Sequence, residues 1–210
     1  MKLLYAEDEA AMSEAVVDME LYLGESKWSR NIKEQTRRLS GLMQDLLTLA
    51  RMDEGAAPAQ KAALSLSGLA EQALEPFLQP MEAQGITLER DIQPGVSLTA
   101  DPAQLEQLLS LLLDNAVKYT GPGGRICLSV KQEGKRARLC LENTCPQLPT
   151  VPPEKLFDRF YRGDAARTQK EGGYGIGLAV AHSLAQANQG SLHAQYLPPQ
   201  AIRFVAQFPN

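Results

Sequence analysis

The chain is 210 residues long and carries 21 basic and 25 acidic side chains, for a formal net charge of −4; that is room for one full domain and an appendage, and an acidic balance without a basic patch excludes nucleic acid as a partner. Its most apolar run, Leu108 to Leu113, is broken by Ser110 and far too short to cross a bilayer, and Met1-Lys2 leads into acidic residues from Glu7 rather than a signal peptide, so a cytoplasmic chain with no membrane segment is expected. Three cysteines, Cys127, Cys140 and Cys145, are odd in number and lack metal-ligand spacing, which fits a reducing compartment with the thiols in a core or at a strand end.

Lys2 to Ala6 reads as a short strand. Met12, Val16, Met19 and Leu23 then recur at four-three-four spacing and share one helix face, with Gly24 as its stop and Ser26 as a cap for the next helix. The second helix is predicted over Lys27–Asp53. Ile32, Thr36, Leu39, Met43, Leu46 and Ala50 form an a/d ladder along it, and Leu42, Leu47 and Leu49 widen the stripe. At 1.5 Å per residue it is about 40 Å long. A lone helix with so wide an apolar stripe must pack on something. The first helix covers part of it, and a second copy of the chain covers the rest as a four-helix bundle, so a homodimer through residues 27–53 is expected. An intramolecular hairpin laid on the main domain is the other arrangement. The Ala-rich stretch Gly55–Ala63 is a linker.

From there the pattern is mixed. Leu64–Leu66 is a short strand, and Ser67–Gly85 is a helix with Ser67 or Ser65 as its cap. Ile86–Ile92 and Val96–Thr99 are strands. Asp101-Pro102 opens a helix that reaches Tyr119, the aspartate accepting backbone N–H groups and the proline sitting at the first helical position. The Gly121-Pro122-Gly123-Gly124 turn leads to strands Arg125–Gln132 and Ala137–Glu142, joined by a hairpin turn in which Gly134 takes a positive φ. The long connection Asn143–Gly173 holds only a short helix near Pro153–Tyr161, and loops of that length are functional lids or disordered segments. A helix from Tyr174 to about Asn188 and strands Ser191–Leu197 and Ile202–Phe208 complete the chain. Strands mixed with helices and antiparallel hairpins predict an α+β fold, a two-layer α/β sandwich preceded by an α-helical hairpin.

Two stretches carry chemistry. In the helix ending at Tyr119, Asn115 and Lys118 lie three apart on one face. An amide oxygen is a ligand for Mg²⁺ and an ammonium neutralises a phosphate oxygen, although a lysine and an asparagine also suit an ordinary helix C-terminus. In the stretch LFDRFYRGDAARTQKEGGYGIGL, Gly172, Gly173, Gly175 and Gly177 precede a helix, leaving backbone N–H groups open to an anion at its positive end. A flexible surface loop is the plainer reading of those glycines. The stretch is not a P-loop, lacking Gly-Lys-Ser/Thr, nor a Rossmann turn, because Arg-Thr-Gln-Lys-Glu before it is no strand.

Taken in order, Leu-Leu-Asp-Asn-Ala-Val-Lys-Tyr-Thr, a strand ending Glu-Asn, Leu-Phe-Asp-Arg-Phe-Tyr-Arg and Gly-Gly-Tyr-Gly-Ile-Gly-Leu closely resemble the Asn box, first Gly box, Phe box and second Gly box of bacterial sensor histidine kinases. The resemblance runs from about Met19 to the C-terminus. It implies the Bergerat ATP-binding fold, with ATP and Mg²⁺ as cofactors. Asn115 would hold Mg²⁺, Lys118 would meet phosphate and Tyr119 would line the nucleotide pocket. Asn143 would accept from the adenine amino group, Phe157 and Phe160 would anchor the lid, and Arg162 would help from it. Gly172, Gly173, Gly175 and Gly177 would cradle the phosphates, with Leu178 following in the same ATP-binding set. The implied chemistry is in-line transfer of the γ-phosphoryl group to a histidine nitrogen, which rests on positioning and charge neutralisation.

The chain departs from that pattern. Asn143-Thr144-Cys145-Pro146-Gln147 replaces Asp-x-Gly-x-Gly, Leu111 stands at a frequent Asn, and Arg203 where the last strand often has Thr. No His-Glu or His-Asp pair occurs early in the first bundle helix; the missing histidine would fall near Ala6. The two histidines, His182 and His193, read as structural positions. Residues 1–18, MKLLYAEDEAAMSEAVVD, resemble the start of a response-regulator receiver domain, Glu7 and Asp8 matching its acidic pair. The expected division is a receiver-like fragment at 1–18 continuing into the first helix, a remnant dimerisation hairpin at 19–55, a linker at 56–63 and an ATP-binding catalytic domain at 64–210. One function follows from this: a histidine-kinase catalytic portion without its own phosphoacceptor, with no catalytic residue of that kind and activity only in trans. The alternative is a non-catalytic kinase remnant that acts as a dimerising interaction module. Partners implied are ATP or ADP, a second copy, and a full-length histidine kinase or response regulator within a phosphorelay.

Overall fold

The computed structural model describes residues 27–53, 60–162 and 174–209, and the chain divides into two compact units, residues 1–44 and 45–210. The expected N-terminal strand and first helix, Gly24 and Ser26, the 1–18 fragment with Glu7 and Asp8, most of the linker, the lid residues 163–173 and, with them, Gly172 and Gly173 lie outside the described residues.

Helix α1 spans Lys27–Asp53, the range that the apolar ladder predicts. Ile32, Leu39, Met43 and Leu46 along that ladder are between 41 and 53% exposed. No described helix is long and apolar enough to cross a membrane.

In the second unit, β1 (Ala62–Ser65) pairs antiparallel with β3 (Ser97–Ala100) as a two-stranded ladder. Helix α2 (Leu66–Ala83) starts one residue earlier than expected, so Leu66 belongs to the helix rather than to the strand. Its cap is Ser65, whose Oγ accepts from Gly68 N at 3.1 Å. The Ser67 hydroxyl is used elsewhere: it donates to Gln93 O at 2.6 Å and accepts from Val96 N at 3.0 Å, tying α2 to the turn before β3.

The main sheet has five strands in the order β2 (Thr87–Ile92), β4 (Arg125–Glu133), β5 (Arg136–Thr144), β7 (Ala201–Pro209), β6 (Ser191–Leu197). Only β2 and β4 run parallel. Gly134, at φ +59°, turns the β4–β5 hairpin as its lack of a Cβ allows. Side chains alternate along β5: Ala137, Leu139, Leu141 and Asn143 are buried, while Arg138, Cys140, Glu142 and Thr144 are only half-covered. One face of the sheet is therefore packed under helices and the other faces water. The covering helices are α2, α3 (Pro102–Tyr119) and α4 (Gly177–Ala187), with α3 packed against both others. The result is the expected two-layer sandwich. The watered face carries a ladder of ion pairs, among them Arg203–Glu142, Arg125–Glu89 and Lys131–Asp91.

Candidate functional site

Helix α3 buries Leu105, Leu108, Leu109, Leu112, Leu113, Ala116 and Val117 on one side. Leu111, Asn115 and Lys118 follow each other at i, i+4 and i+7 on its other side, with Leu111 and Asn115 half-buried and Lys118 exposed. Lys118 Nζ meets Asp114 Oδ2 at 2.5 Å, one turn back, so its charge is engaged within the helix. Tyr119, half-buried, is the last helical residue. Thr120 follows; its backbone N–H donates to Ala116 O at 2.9 Å. Its side chain is 3% exposed, and its Oγ1 has no hydrogen-bond partner.

Asn143 sits at the far end of β5 on the helix-covered face. It belongs to a row that crosses the sheet as Leu88, Ile126, Asn143, Ile202 and Tyr196. Its strand neighbours on both sides are isoleucines, which offer it no polar partner. Asn143 is 1% exposed; its Nδ2 donates to Thr144 O at 3.1 Å, and its Oδ1 is buried without a partner. A buried acceptor left unpaired costs free energy, and such an atom fits an exocyclic amine. Arg203 lies on the opposite face, where its Nη2 donates to Glu142 Oε2 at 2.7 Å. The inward residue of that strand beside Asn143 is Ile202, so Arg203 takes no part in this face of the sheet.

The two phenylalanines of the expected lid differ. Phe157 ends a 3-10 turn, Pro153–Phe157, that stops before the Tyr161 expected for it. Its ring lies 5.1 Å from His182 and 6.3 Å, edge-on, from Phe204, so it anchors the segment to α4 and β7. Phe160 is not such an anchor: it is 65% exposed and takes φ +62°. The reason is Gly175, at φ +73°. A Cβ there would lie 2.4 Å from Tyr161 O and 2.9 Å from the Phe160 carbonyl carbon. The chain entering residues 163–173 and the chain leaving them thus touch backbone to backbone, and the left-handed turn at Phe160 presents its peptide to that contact. Arg162 is half-buried just beyond.

The same glycine explains why α4 starts at Gly177 and not at the expected Tyr174. A left-handed residue cannot continue a right-handed helix, so the helix begins only after Ile176. Ile176 offers no capping side chain, and no acidic residue lies in the first turn. The first N–H groups of α4 are therefore open to an anion. Gly177 lets α4 approach α3: a Cβ there would come 3.3 Å from Leu111 Cδ2. Leu178 is half-buried in that first turn. Together Asn115, Asn143, Gly175, Gly177 and Leu178 sit on elements that converge at one end of the helix layer.

Thr120 closes the Leu-Leu-Asp-Asn-Ala-Val-Lys-Tyr-Thr stretch, directly after Tyr119, but has no role in the sequence reading. Tyr196 is a second addition. Its hydroxyl is buried without a partner, and burial first, then Tyr161 and Glu154, pushes its pKa up to about 12. His182, half-buried against Phe157, is held below the ordinary imidazole value by burial and then by His193. The thiols of Cys127, Cys140 and Cys145 are all raised by burial. Cys145 is buried just past β5, whereas Cys127 and Cys140 lie mid-strand on the watered face rather than in the core or at a strand end. No cluster of three metal-ligating side chains occurs among the described residues. A cation here would rely on the Asn115 amide and a bound ligand's own oxygens, which is how Mg²⁺ is commonly held beside phosphates.

At the other end of α4, Asn188 is 1% exposed and joins three elements. Its Oδ1 accepts from Asp101 N at 2.8 Å, and its Nδ2 donates to Gln104 Oε1 at 2.8 Å and Leu184 O at 2.9 Å. Asp101 in turn caps α3 with Oδ1, accepting from Ala103 N and Gln104 N, and accepts from Gln60 N with Oδ2 at 2.9 Å.

The family described as histidine kinase-, DNA gyrase B- and HSP90-like ATPases matches residues 100–210. The chain is 31% identical over 179 residues to the signal transduction histidine-protein kinase BaeS of Escherichia coli (strain K12), an alignment that covers 85% of this chain and 38% of that protein. The chain thus spans about two fifths of that relative's length. Among solved structures, the fold is similar to that of the Acinetobacter baumannii histidine kinase AdeS, with a TM-score of 0.73 at 19% identity over 98% of this chain and 96% of that one. Full-length ShkA in complex with AMPPNP gives a TM-score of 0.73 at 25% identity, covering 97% of this chain and 45% of that one.

Proposed function

Since the chain belongs to the histidine kinase-, DNA gyrase B- and HSP90-like ATPase family, we propose that residues 64–210 bind Mg-ATP and deliver its γ-phosphoryl group to a histidine nitrogen, as the catalytic portion of a two-component sensor histidine kinase. The observation that carries the ATP reading is the Asn143 side chain. Its oxygen is buried, unpaired and oriented by the bond from Nδ2 to Thr144 O. It is an acceptor waiting for the adenine amino group, even though it is neutral where the resembling family has a carboxylate.

The other residues divide the work along the nucleotide. Tyr119 lines the pocket at the end of α3. The open N-terminus of α4, with Gly172, Gly173, Gly175, Gly177 and Leu178, receives the phosphates through backbone N–H groups. Asn115 supplies its amide oxygen to Mg²⁺, which neutralises charge on the phosphate oxygens. Lys118 exchanges Asp114 for a phosphate oxygen; an exposed ion pair is worth at most about 1 kcal/mol, so the exchange is cheap. Phe157 fixes the base of the lid, Phe160 closes over the nucleotide beside Gly175, and Arg162 reaches the phosphates from the lid.

In this reading the acceptor histidine is supplied in trans, by a full-length histidine kinase with a response regulator downstream, and His182, which packs on Phe157, and His193, on strand β6, keep structural roles. The exposed ladder of Ile32, Leu39, Met43 and Leu46 on α1 supports pairing, as a homodimer or with such a kinase, within a dimerisation hairpin at 19–55. The receiver-like residues 1–18 are then a junction joined into the first bundle helix, and the cytoplasm is the site of action. The same ladder favours a second reading, a non-catalytic module that pairs with full-length kinases and interferes with them.

Calorimetric titration with Mg-ATP separates the two, with Asn115→Ala as the control. Saturable binding that weakens in the variant supports the catalytic reading. No binding at millimolar nucleotide overturns it and leaves pairing as the function.

A further inference from the structure

Thr120 carries a hydroxyl that the fold does not use. A threonine or serine within a helix can return its hydroxyl to the carbonyl one turn back, as Ser183 Oγ does in α4, donating to Ala179 O at 3.0 Å. Thr120 does not. Its backbone N–H takes the Ala116 carbonyl, and its Oγ1 is buried with no partner at all. Such an atom in a native chain calls for a ligand or an ordered water.

Its position names the ligand atom. The side chains of Thr120 and Thr144 meet over Gly124, where a Cβ would lie 2.6 Å from Thr120 Cγ2 and 2.5 Å from Thr144 Oγ1. A Cβ on Gly121 would likewise come 3.1 Å from Pro146 Cγ. The turn after α3 is thus pressed onto the chain that directly follows Asn143. Thr144 O also holds Asn143 Nδ2, because the reverse orientation would set two oxygens against each other. Two residues with orphan oxygens are thus tied to Thr144, Thr120 through its methyl at Gly124 and Asn143 through its Nδ2: Asn143 Oδ1 can only accept, and Thr120 Oγ1 has a proton to give. One edge of adenine presents the complementary pair side by side, the N6 amine as donor and ring nitrogen N1 as acceptor. Hypoxanthine and guanine present the reverse on the same edge.

We infer that Thr120 is a base-reading residue whose hydroxyl donates to N1 of the adenine while Asn143 accepts from N6. The assignment rests on the ATP reading above. Both oxygens are sealed from solvent in the nucleotide-free chain, so the base reaches them by parting the side chains that cover them.

The test is a protein–ligand cycle: wild type and Thr120→Val, each titrated with ATP and with 1-deaza-ATP, in which a C–H replaces N1. Wild type should bind 1-deaza-ATP about tenfold more weakly than ATP, the size of one hydrogen bond. Thr120→Val should lose the same tenfold for ATP and nothing further for 1-deaza-ATP. Thr120→Ser, which keeps the hydroxyl, should bind ATP as wild type does. Nucleotide-free Thr120→Val should melt no lower than wild type, because the hydroxyl it lacks had no partner, and that melt shows the variant is folded. Equal loss for both nucleotides, or loss for neither, overturns the assignment. A wild-type chain that binds neither nucleotide overturns the ATP reading itself, whereas one that binds both equally overturns only the role of Thr120.

Discussion

Gly175→Ala is the most demanding single change that the structure identifies. Alanine would have to hold φ +73° and place its Cβ 2.4 Å from the Tyr161 carbonyl oxygen, where ordinary contact begins near 3.4 Å. The left-handed backbone costs about 1–2 kcal/mol. The clash is with backbone, which cannot rotate away, so one strand of the contact must shift by about 1 Å, and overpacking of that kind costs about 1–3 kcal/mol. The sum is about 2–5 kcal/mol. At about 2–4 °C per kcal/mol for a chain of this size, that lowers the melting temperature by about 4–20 °C. Gly134→Ala is the internal control: it has φ +59° with nothing within 4 Å of the added carbon, so it bears the conformational cost alone. Circular dichroism in urea is the assay, because the lone tryptophan, Trp28, lies on α1 and is exposed. The contact joins the two chain segments that flank the proposed lid, so Mg-ATP affinity should fall in Gly175→Ala and hold in Gly134→Ala. If the two variants melt together and bind ATP alike, the backbone contact at Tyr161 is not what demands glycine here.

Asn115→Ala should weaken Mg-ATP binding roughly tenfold or more, the scale of one polar contact to a charged group, while metal-free ATP is little affected; calorimetry with and without Mg²⁺ decides it. His182 gives a pH signature. Burial holds its folded pKa below the ordinary 6.5, so in the window below 6.5 the unfolded chain binds more protons than the folded one. Stability should be full above that value and fall as the pH drops toward 5, and urea midpoints for His182→Gln should fall less steeply across the same range. Leu39→Glu, on the exposed ladder of α1, should convert a dimer to a monomer in light scattering; an unchanged dimer mass would remove the bundle.

Where local chemistry decides the outcome, the residues were readable. Asp101-Pro102 announces the start of α3 through a capping carboxylate and a preset φ, and the structure begins the helix there. The strand expected at Ser191–Leu197 is β6 with those same bounds. The misreadings share one cause, contacts from distant parts of the chain. Ser67 looks as good a cap as Ser65 until the turn before β3 claims its hydroxyl. Tyr174 looks helical until the Tyr161 backbone forces Gly175 left-handed. Phe160 reads as a lid anchor for the same reason that Phe157 does, yet only Phe157 packs its ring on His182 and Phe204, while Phe160 is 65% exposed at a positive φ. For the site, the boxes named Asn115 and Asn143, but not which face Arg203 would occupy, since only strand register reveals that. Thr120 stayed hidden because an unused hydroxyl can be recognised only once every partner around it is accounted for.

The Asp101 carboxylate has a mechanical consequence. Gln60 is the first described residue after α1, and its amide is gripped by the same side chain that caps α3 and, through its backbone, hangs on Asn188. A tug on the chain at Gln60 is therefore not absorbed by the small β1–β3 ladder alone. It loads the start of α3 and the tail of α4 at once, and α4 is a rod of only 11 residues, about 16 Å long. The grip and the uncapped N-terminus proposed to receive the phosphates are the two ends of one short lever.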